Sequence, residues 1–527
     1  MQTDCFKFEE IGFFSKLLID YTSGKIDKSL LPEFDYSISG IKERLTKPYP
    51  LKIDRNILAQ TLLQQYEGIE ATELVLTHIE LLKKTNTYTV VTAHQLSFMG
   101  GPLYYVIKIA NAIALSQKLA KDFPDYHFVP IYWMGSEDHD FEEVNHIYLF
   151  KNKITWDSTQ QGPVGRFTLD GIKDAVQEVL NILGQSKPDG IEELIEKAYA
   201  QKDMQMATRV LVNGLFGQYG LVIVDGDDSN LKRPISDLIF NEITKQASFP
   251  LLLKRSDLLV QKGYHAQAVG REINLFLLGD GFRKRIAPLG EDYDIAGQKW
   301  TRGMLLEELS EHPEHFSPNV ILRPLFQQGV LPNIAFIGGG SEVAYWMQLT
   351  DIFSLYQVGY PVLIPRTSLL FVDQSSLKRM EKLGIQTQEI FQDKEELKKI
   401  YLNRAGAELP DLSREKSALD QILTAIKESG EKIDKTLGPA IAADAQRVQN
   451  TLNQIEGKMI RAVKHKNDTE LKQIDSLYQT FFPDQILQER HDNFLNFYSR
   501  YGQKFIDWLV QHLHVIEQEF VVMTDTD

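Results

Sequence analysis

The chain has 527 residues, of which 43% are hydrophobic and 24% are charged, and its formal net charge is −15. This length allows two to four domains of about 100–200 residues each, and the acidic balance, without a long lysine or arginine block, disfavours nucleic acid as a partner. The single cysteine, Cys5, excludes a disulfide framework and suits a reducing cytoplasm, while neither a signal peptide nor an apolar run long enough to span a membrane is present.

The first half of the chain predicts helices followed by a βαβ unit. Residues 1–85 are predicted as helices with breaks, and Asp54 is placed to cap one of them. The β-branched and aromatic run from Thr87 to Thr92 predicts a strand. After a loop, the apolar spacing from Leu103 to Leu119 predicts a helix, and Phe128 to Met134 predicts the next strand. The order strand, helix, strand implies a parallel pair.

Further βα-like units follow an insertion. The insertion is predicted over residues 147–205 and consists of a short, polar, strand-rich segment followed by helices. Residues 235–260 predict helices, and residues 264–300 predict a β-rich segment. The remaining predicted elements are a strand at Leu221 to Val224 with the turn Asp225-Gly-Asp-Asp228, a strand at Asn333 to Ile337 with the turn Gly338 to Glu342, a helix from Val343 to Tyr356, and a strand at Pro361 to Ile364.

Residues 374–480 differ in composition from the rest of the chain. Proline and aromatic residues become rare, charges rise, and apolar residues from Leu419 to Met459 recur mostly at spacings of 3, 4 or 7. This pattern predicts a helical hairpin or coiled coil that dimerises; a long helix packed on its own domain is the alternative. Gly438-Pro439 is predicted to kink or restart the helix. We therefore predict a catalytic core over 1–373, a coiled-coil domain over 374–480, and C-terminal helices over 481–527 that pack back on the core.

Ionisable side chains are concentrated directly after the strand that ends at Met134. They are Glu137, Asp138, His139, Asp140, Glu142, Glu143 and His146, together with Asn145. If a helix starts near Asp138, then His139, Glu142, Glu143 and His146 share one face. His139 and Glu142 suggest a metal site there, although the spacing is neither H-E-x-x-H nor H-x-x-E-H. The alternative is a polar substrate site, in which acids hold an amino group or a sugar hydroxyl and His139 transfers a proton.

Two glycine-containing loops also follow predicted strands. The first runs from Thr92 through His94 and Gln95 to Gly100-Gly101 and leads to Lys108; the second contains Gly338 to Glu342. Backbone N–H groups at a helix N-terminus attract anions, so each loop is a candidate anion cradle; a turn without a ligand is the alternative. The turn at Asp225 could hold hydroxyls or Mg²⁺, or be structural. Because the carboxyl ends of parallel strands meet at one edge of a sheet, these loops predict a single ligand site.

Motifs between about residue 90 and residue 502 occur together in one known family. They are Val91-Thr-Ala-His-Gln95, Gly101-Pro-Leu-Tyr104 with Lys108, Trp133 with Glu137-Asp-His-Asp-Phe141 and Asn145-His146, Gly263-Tyr-His-Ala-Gln267, Arg323-Pro-Leu325, Gly338-Gly339 with Glu342-Val-Ala-Tyr-Trp346, Gln488-Glu-Arg490 and Tyr501-Gly502. In these the chain resembles the cysteine-adding enzymes of bacillithiol biosynthesis, a family of cysteine ligases. Ala93 departs from the family, which usually has glycine there. His94 varies with glutamine in the family, which argues against an indispensable acid at that position.

The resemblance implies an α/β fold: a Rossmann-like parallel sheet core with inserted connecting segments, plus a helical coiled-coil domain that forms a homodimer. It implies a cytoplasmic ligase that joins the carboxyl group of L-cysteine to the glucosamine amine of glucosaminyl-malate, the last step of bacillithiol biosynthesis. ATP is the expected activator, Mg²⁺ can accompany it, and no protein-bound metal site is expected.

Site residues are carried over from the family motifs, and their acid or base roles are our hypothesis. The expected catalytic residues are Glu137, Asp138, His139 and Asp140. The expected substrate-binding or nucleotide-binding residues are Thr92, His94, Gln95, Gly100, Gly101, Tyr104, Lys108, Trp133, Asn145, Arg323, Gln327, Gly338, Gly339, Glu342, Tyr345 and Trp346. Two alternatives remain: a nucleotide-binding or sugar-binding regulatory dimer, and a metal-dependent hydrolase that uses His139, Glu142 and His146.

Overall fold

The computed structural model describes every residue of the chain except 185–187, 189, 408, 514, 518 and 527. The chain divides into two units. The larger unit comprises Cys5–Leu370 and Leu487–Val521, and the smaller comprises Met1–Asp4, Phe371–Ile486 and Val522–Asp527. Among the described residues, no helix is both long and apolar enough to cross a lipid bilayer.

The strands and helices are numbered in chain order. The strands are β1 (Gln2–Phe6), β2 (Thr87–Gln95), β3 (His127–Gly135), β4 (His146–Leu149), β5 (Asn152–Thr155), β6 (Val222–Asp225), β7 (Leu275–Gly279), β8 (Phe282–Leu289), β9 (Asp292–Ile295), β10 (Gln298–Trp300), β11 (Phe316–Pro318), β12 (Asn333–Gly338), β13 (Val362–Pro365), β14 (Ser368–Val372) and β15 (Phe520–Thr524). The helices before residue 260 are α1 (Phe8–Ile11), α2 (Lys16–Thr22), α3 (Ile38–Thr46), α4 (Arg55–Gln65), α5 (Glu73–Leu81), α6 (Tyr104–Asp122), α7 (Phe141–Val144), α8 (Ile172–Leu183), α9 (Ile191–Tyr199), α10 (Met204–Phe216), α11 (Ser229–Lys232), α12 (Ser236–Lys245) and α13 (Ser248–Gln261). The later helices are α14 (Arg302–Glu311), α15 (Arg323–Val330), α16 (Gly340–Met347), α17 (Thr350–Leu355), α18 (Gln374–Leu383), α19 (Lys394–Arg404), α20 (Ser413–Ile433), α21 (Leu437–Lys466), α22 (Asp468–Phe481), α23 (Gln488–His491), α24 (Leu495–Tyr501) and α25 (Gln503–His512).

A parallel five-stranded sheet lies at the centre of the larger unit, in the order β13-β12-β2-β3-β6. Val91 of β2 lies opposite Ile131 of β3 on one side and Phe336 of β12 on the other. The strand order reverses at β2, because β3 and β6 lie on one side of it and β12 and β13 on the other. The carboxyl ends of β2 and β12 therefore form the topological switch point, where open α/β sheets bind ligands. The predicted Rossmann-like core is confirmed.

The central strands are apolar runs because the sheet is covered on both faces. Val90, Ile337 and Ile364 are fully buried, and each such side chain contributes roughly 1.5–3 kcal/mol through burial. Helix α6 follows β2 and packs against β2 and β3. Its start is set by a turn in which Gly100 and Gly101 have φ of 73° and 61°, values that favour glycine.

Some local predictions are wrong. The helix after β3, α7, spans only four residues, and His146 already begins β4, which removes the helical face on which the metal hypothesis placed His139, Glu142 and His146. The single helix expected from Val343 to Tyr356 is instead two helices, α16 and α17, which are separated by Gln348 and Leu349. Gln2–Phe6 and Phe520–Thr524, both in segments predicted as helices, form the strands β1 and β15.

The segment predicted to be β-rich forms most of an antiparallel sheet, in the order β10-β9-β8-β7-β11. The predicted insertion contains the antiparallel pair β4 and β5 and the helices α8 and α9. A three-stranded sheet has the order β1-β15-β14. Helix α25, from the end of the chain, packs against α6.

The smaller unit contains the predicted helical hairpin, formed by α20 and α21. Lys416 Nζ lies 2.6 Å from Glu456 Oε2, and Gln449 Nε2 donates to Asp420 Oδ1 at 2.7 Å. These pairings run in opposite directions along the two helices, so the helices are antiparallel. Pro439 lies in the first turn of α21, where its missing N–H leaves no hydrogen bond unmade.

Candidate active site

A cavity of about 1150 Å³ lies at the carboxyl edge of the parallel sheet, in the larger unit. Residues at the ends of β2, β3 and β12 line it, and the segment that carries the antiparallel sheet lines the opposite side. The cavity therefore occupies the switch point at which the topology predicts a ligand. Eleven of the residues expected from the sequence line it: His94, Gln95, Tyr104, Lys108, Trp133, Glu137, Asp138, Arg323, Gly339, Glu342 and Tyr345.

Positive charge exceeds negative charge along the cavity wall, although the whole chain carries a net charge of −15. The cationic lining residues are Lys108, Arg271, Arg283, Arg285, Arg323, Arg366 and Arg490, and the acidic ones are Glu137, Asp138, Glu143 and Glu342. A concave surface lined by one sign of charge concentrates ligands of the opposite sign. The cavity is thus suited to an anionic ligand. Its four acidic side chains can bind an amino group or a hydroxyl of that ligand.

An ion pair between Lys108 and Glu342 joins the two glycine-containing loops. Lys108 Nζ lies 2.6 Å from Glu342 Oε2 and also donates to the carbonyl of Ala93 at the end of β2. Burial lowers the pKa of Lys108, and Glu342 only partly opposes this effect. Burial by itself would raise the pKa of Glu342, but Lys108 and the N–H of Gly339 lower it below its ordinary value. Both side chains are therefore fixed at the junction of β2 and β12.

His94 is held as a neutral imidazole. Burial, and then the charge of Lys108, lower its pKa to about 4. Its Nδ1 lies 3.0 Å from the carbonyl of Gln95, so Nδ1 carries the proton, and Nε2 accepts from the hydroxyl of Tyr104 at 3.1 Å. His94 consequently orients Tyr104 and does not supply a positive charge to the cavity near neutral pH.

A buried lysine holds the carboxylate of Glu137 in place. Lys232 is fully buried, and its Nζ lies 2.6 Å from Glu137 Oε1 and 3.1 Å from Asp227 Oδ1. It also donates to the carbonyl of Glu314 at 2.8 Å. Since burying an unpaired charge is costly, this arrangement keeps the Glu137 carboxylate at the cavity wall.

Asp138 remains ionised beside Glu137. Gln95 Nε2 donates to Asp138 Oδ2 at 2.7 Å, and the backbone N–H of His139 donates to Oδ1 at 2.7 Å. Burial alone would raise the pKa of Asp138, but hydrogen bonds from His139 and Gln95 and the charge of Arg283 lower it well below its usual range. A carboxylate with such a low pKa is a poor base, and it is well suited to bind a cationic or hydrogen-bond-donating group.

Arg283 approaches the acidic wall from strand β8. Its Nη1 donates to His139 Nδ1 at 3.1 Å and lies 3.9 Å from Asp138 Oδ1. Its Nε donates to Ser317 Oγ at 3.1 Å, so β11 holds the guanidinium in place. Because a guanidinium has no acceptor, Arg283 is the donor in this contact and orients the ring of His139.

Arg366 follows β13 and is held by a carboxylate from the far end of the chain. Its Nη1 and Nη2 donate to Glu489 Oε2 and Oε1 at 2.8 and 2.6 Å. Glu489 is fully buried and also accepts from the N–H of Leu369 at 3.0 Å. The guanidinium lies 5.2 Å from the ring centre of Tyr104. Arg366 is therefore a rigid cation in the cavity wall.

The remaining expected site residues lie outside the cavity lining. Thr92 donates to the carbonyl of Ile337 between neighbouring strands, and Trp346 is buried and stacked on Phe336. Gly100 and Gly101 form the turn before α6, and Asn493 donates to the carbonyl of Gly101. His139 and Asp140 are exposed, and His139 contacts Arg283. Asn145 contacts the ring of His146, and Gln327 accepts a hydrogen bond from Arg323. The carbonyl of Gly338 accepts a hydrogen bond from the backbone N–H of Arg366.

Several lining residues were not expected from the sequence, chiefly Arg271, Arg283, Arg285, Arg366 and Arg490. Arg366 follows a predicted strand by two residues, so the argument used for the glycine loops could have found it. Arg490 lies in a recognised motif but had no assigned role. The three arginines of the β-rich segment carry no local signal, because an arginine on an antiparallel strand is ordinarily a solvated residue.

The structure does not assemble the metal site considered from the sequence. Within the described residues, side chains with metal-ligand chemistry converge as a group of three only at His312, Glu314 and His315. Arg283 donates to Nδ1 of His139, and Nδ1 of His146 lies 3.1 Å from Asn145 Oδ1. In the turn after β6, Asp225 is fully buried, Asp227 pairs with Arg166 and Lys232, and Asp228 caps α11.

Comparisons with known proteins cover nearly the whole chain. Residues 1–367 match the family model described as Bacillithiol biosynthesis BshC, N-terminal Rossmann-like domain, and residues 369–524 match its C-terminal coiled-coil domain. A protein of Flavobacterium johnsoniae is 34% identical over 99% of this chain and 100% of its own length. A protein of Flavobacterium psychrophilum is 35% identical over 99% of both chains, and one of Cytophaga hutchinsonii is 32% identical over 96% and 97%. All three are named "Putative cysteine ligase BshC".

Proposed function

The chain belongs to the BshC family of bacillithiol biosynthesis, and on that premise we propose that it is a ligase that joins L-cysteine to the glucosamine amine of glucosaminyl-malate. The main support for the proposal is the cavity at the switch point, because seven cationic and four acidic residues line it. The proposed substrates suit this lining, because cysteine has one carboxylate and glucosaminyl-malate has two. The acids Glu137 and Asp138 supply the complementary place for an amine.

The acidic wall binds and orients the attacking amine in this proposal. Asp138, held ionised by Gln95 and Arg283, accepts a hydrogen bond from the amino group. Glu137, held by Lys232, adds a second negative charge on the same wall. Only the neutral amine is a nucleophile, so a proton must leave it. His139 lies next to this wall and is the group that accepts the proton in this proposal, once its ring turns away from Arg283.

ATP activates the cysteine carboxylate in this proposal, and Mg²⁺ accompanies the nucleotide. A free carboxylate is a poor electrophile. Bound ATP would supply the activation: a carboxylate oxygen would bond to a phosphorus atom of ATP with release of ADP or pyrophosphate, and the amine would then displace phosphate or AMP from the cysteine carbonyl carbon. The cations of the wall fit this requirement, because Lys108, Arg323 and Arg366 are fixed by Glu342, Gln327 and Glu489 respectively. Preorganised cations offset the charge that develops on phosphate and carboxylate oxygens during transfer.

We extend the proposal to a cytoplasmic homodimer. The helices α20 and α21 expose a series of large apolar side chains: Ile422, Ile426, Ile433, Leu437, Val448, Ile455 and Met459. Exposed apolar side chains in such a row are typical of a surface that pairs with another helix. A reducing compartment suits both the single cysteine of the chain and a thiol product.

The test is a ligation assay with the purified full-length protein. Cysteine, glucosaminyl-malate, ATP and Mg²⁺ are supplied together, and the thiol product and the nucleotide products are measured by mass spectrometry. We expect product formation and nucleotide consumption only when both acceptor and cysteine are present. Nucleotide binding without consumption would instead support a regulatory nucleotide-binding dimer and overturn the proposal.

The role of His139 is tested with a matched histidine variant. His139→Ala should reduce turnover by about 10²–10⁴, the usual contribution of a positioned acid or base. His127→Ala is the control, because His127 begins β3 at its amino end, whereas His139 follows the carboxyl end of that strand. Equal activity of the two variants would show that His139 takes no proton in the reaction.

A further inference from the structure

Two histidines and two glutamates meet at a corner of the larger unit, away from the cavity lining. Glu308 lies in the last turn of α14, His312 follows the end of that helix, and Glu314 and His315 belong to the short turn before β11. One ligand atom from each of His312, Glu314 and His315 lies within 4.8 Å of the other two. The two imidazole rings are nearly parallel, with ring centres 4.8 Å apart.

A fourth side chain, Glu308, lies next to the group of three. Glu308 Oε1 lies 2.5 Å from His315 Nδ1, and Glu314 Oε1 lies 3.2 Å from His312 Nδ1. Each imidazole thus faces a carboxylate. Among the described residues, Glu314 Oε2 is buried and has no side-chain or backbone hydrogen-bond partner, so this oxygen is available as a metal ligand.

We propose that His312, Glu314 and His315 form a binding site for a divalent transition-metal ion of the Zn²⁺ type, with Glu308 as the outer-shell carboxylate that orients the ring of His315. Two imidazole nitrogens and one carboxylate oxygen are a ligand set that Zn²⁺ accepts in tetrahedral geometry, with water in the fourth position. At metal–ligand distances of about 2.0–2.2 Å, neighbouring donors in a tetrahedron lie roughly 3.4 Å apart. Small side-chain rotations bring atoms now within 4.8 Å to that separation.

The proposed metal site lies away from the cavity lining, so the metal would act on the stability of this segment. The metal would join the end of α14 to the turn that leads into β11. This turn also supplies the carbonyl of Glu314 to Lys232, and β11 supplies Ser317 to Arg283. Metal binding would therefore stabilise the segment that supports one side of the cavity, whichever reaction the cavity performs.

The test measures Zn²⁺ binding to the full-length chain in a Cys5→Ser background, which removes its single thiol. Metal-free protein competes with a colorimetric zinc chelator, and thermal unfolding is followed with and without Zn²⁺. We expect one Zn²⁺ per chain and a higher unfolding temperature with the metal, because a ligand that binds only the folded state stabilises it. His315→Ala should weaken binding by more than the roughly 10–100-fold that loss of an outer-shell partner costs.

Two further variants make the result specific. Glu314→Gln keeps the size of the side chain but removes its charge, and it should also weaken binding; circular dichroism and gel filtration check that each variant is folded. His465→Ala removes an exposed histidine of α21 and should leave binding unchanged. The proposal is overturned if the parent protein does not compete with the chelator, or if its affinity is the same in the His315 and Glu314 variants as in the His465 variant.

Discussion

The buried ion pair between Arg366 and Glu489 gives the sharpest test of how the cavity is built. The change is Glu489→Gln, which keeps the shape of the side chain but removes its charge. Arg366 exposes only 6% of its side chain and Glu489 none, so water cannot replace the lost carboxylate. Glu489 accepts two hydrogen bonds from Arg366 and one from the N–H of Leu369. The glutamine keeps one oxygen that can accept a hydrogen bond, but its NH2 group would face the guanidinium, and two donors cannot form a hydrogen bond with each other.

We expect Glu489→Gln to reduce the free energy of unfolding by about 3–5 kcal/mol, the usual cost of leaving one buried charge unpaired. The measurement is urea denaturation followed by tryptophan fluorescence. All five tryptophans lie within Cys5–Leu370 or Leu487–Val521, so the signal reports on the larger unit alone. Adding Arg366→Met should recover part of the loss, with a coupling energy of about 0.5–3 kcal/mol in a double-mutant cycle.

A loss below about 1 kcal/mol for Glu489→Gln would refute this argument, since it would show that the carboxylate does not offset the buried charge of Arg366. Additive effects of the two substitutions would refute it as well. As a control, the slope of the unfolding free energy against urea concentration should be the same in each variant as in the parent protein. An equal slope shows that the substitution has not changed the denatured state.

Three other predictions test the site and the helical hairpin. Lys232→Met removes the buried cation that pairs with Glu137 and Asp227, so it should reduce the free energy of unfolding by about 3–5 kcal/mol in urea denaturation; a loss below about 1 kcal/mol would show that these carboxylates do not depend on the lysine. Burial, followed by the charge of Asp227, raises the pKa of Asp225 from 3.8 to about 7. The folded state then binds more protons than the unfolded state between these values, so stability falls as pH rises from about 4 to 7, by at most about 4 kcal/mol. Asp225→Asn should flatten this dependence in denaturation measurements at pH 5 and pH 8, and an unchanged difference would contradict the assignment. Ile426, which is 50% exposed on α20, should lie in the proposed dimer interface, so Ile426→Asp should shift the protein from dimer to monomer in light scattering, and a variant that stays dimeric would place the interface elsewhere.

The sequence by itself determined the central sheet and one wall of the site. The strands were predicted because a strand buried on both faces must be apolar along its length, and such a run is visible without knowing its neighbours. The strands that became β3 and β12 were found in this way, and β2 was found from its β-branched and aromatic residues. The loops that follow these strands were found with them. His94, Glu137 and Glu342 were expected to meet because parallel strands end at one edge, and all three line the cavity.

Only the tertiary structure decided which groups fix those side chains. Lys232 lies 95 residues beyond Glu137 in the chain, and the hydrogen bond from Arg366 to Glu489 spans 123 residues. Nothing near a lysine or an arginine in sequence shows that it will be buried against a distant carboxylate, since the same residues are ordinarily solvated. The length of α7 was misjudged for a related reason: a polar segment has no apolar period to mark where its helix ends, and the pairing of His146 with Thr155 ended it. Local patterns thus encode burial, whereas the charge partners of buried groups depend on the strand order and on the packing of distant segments.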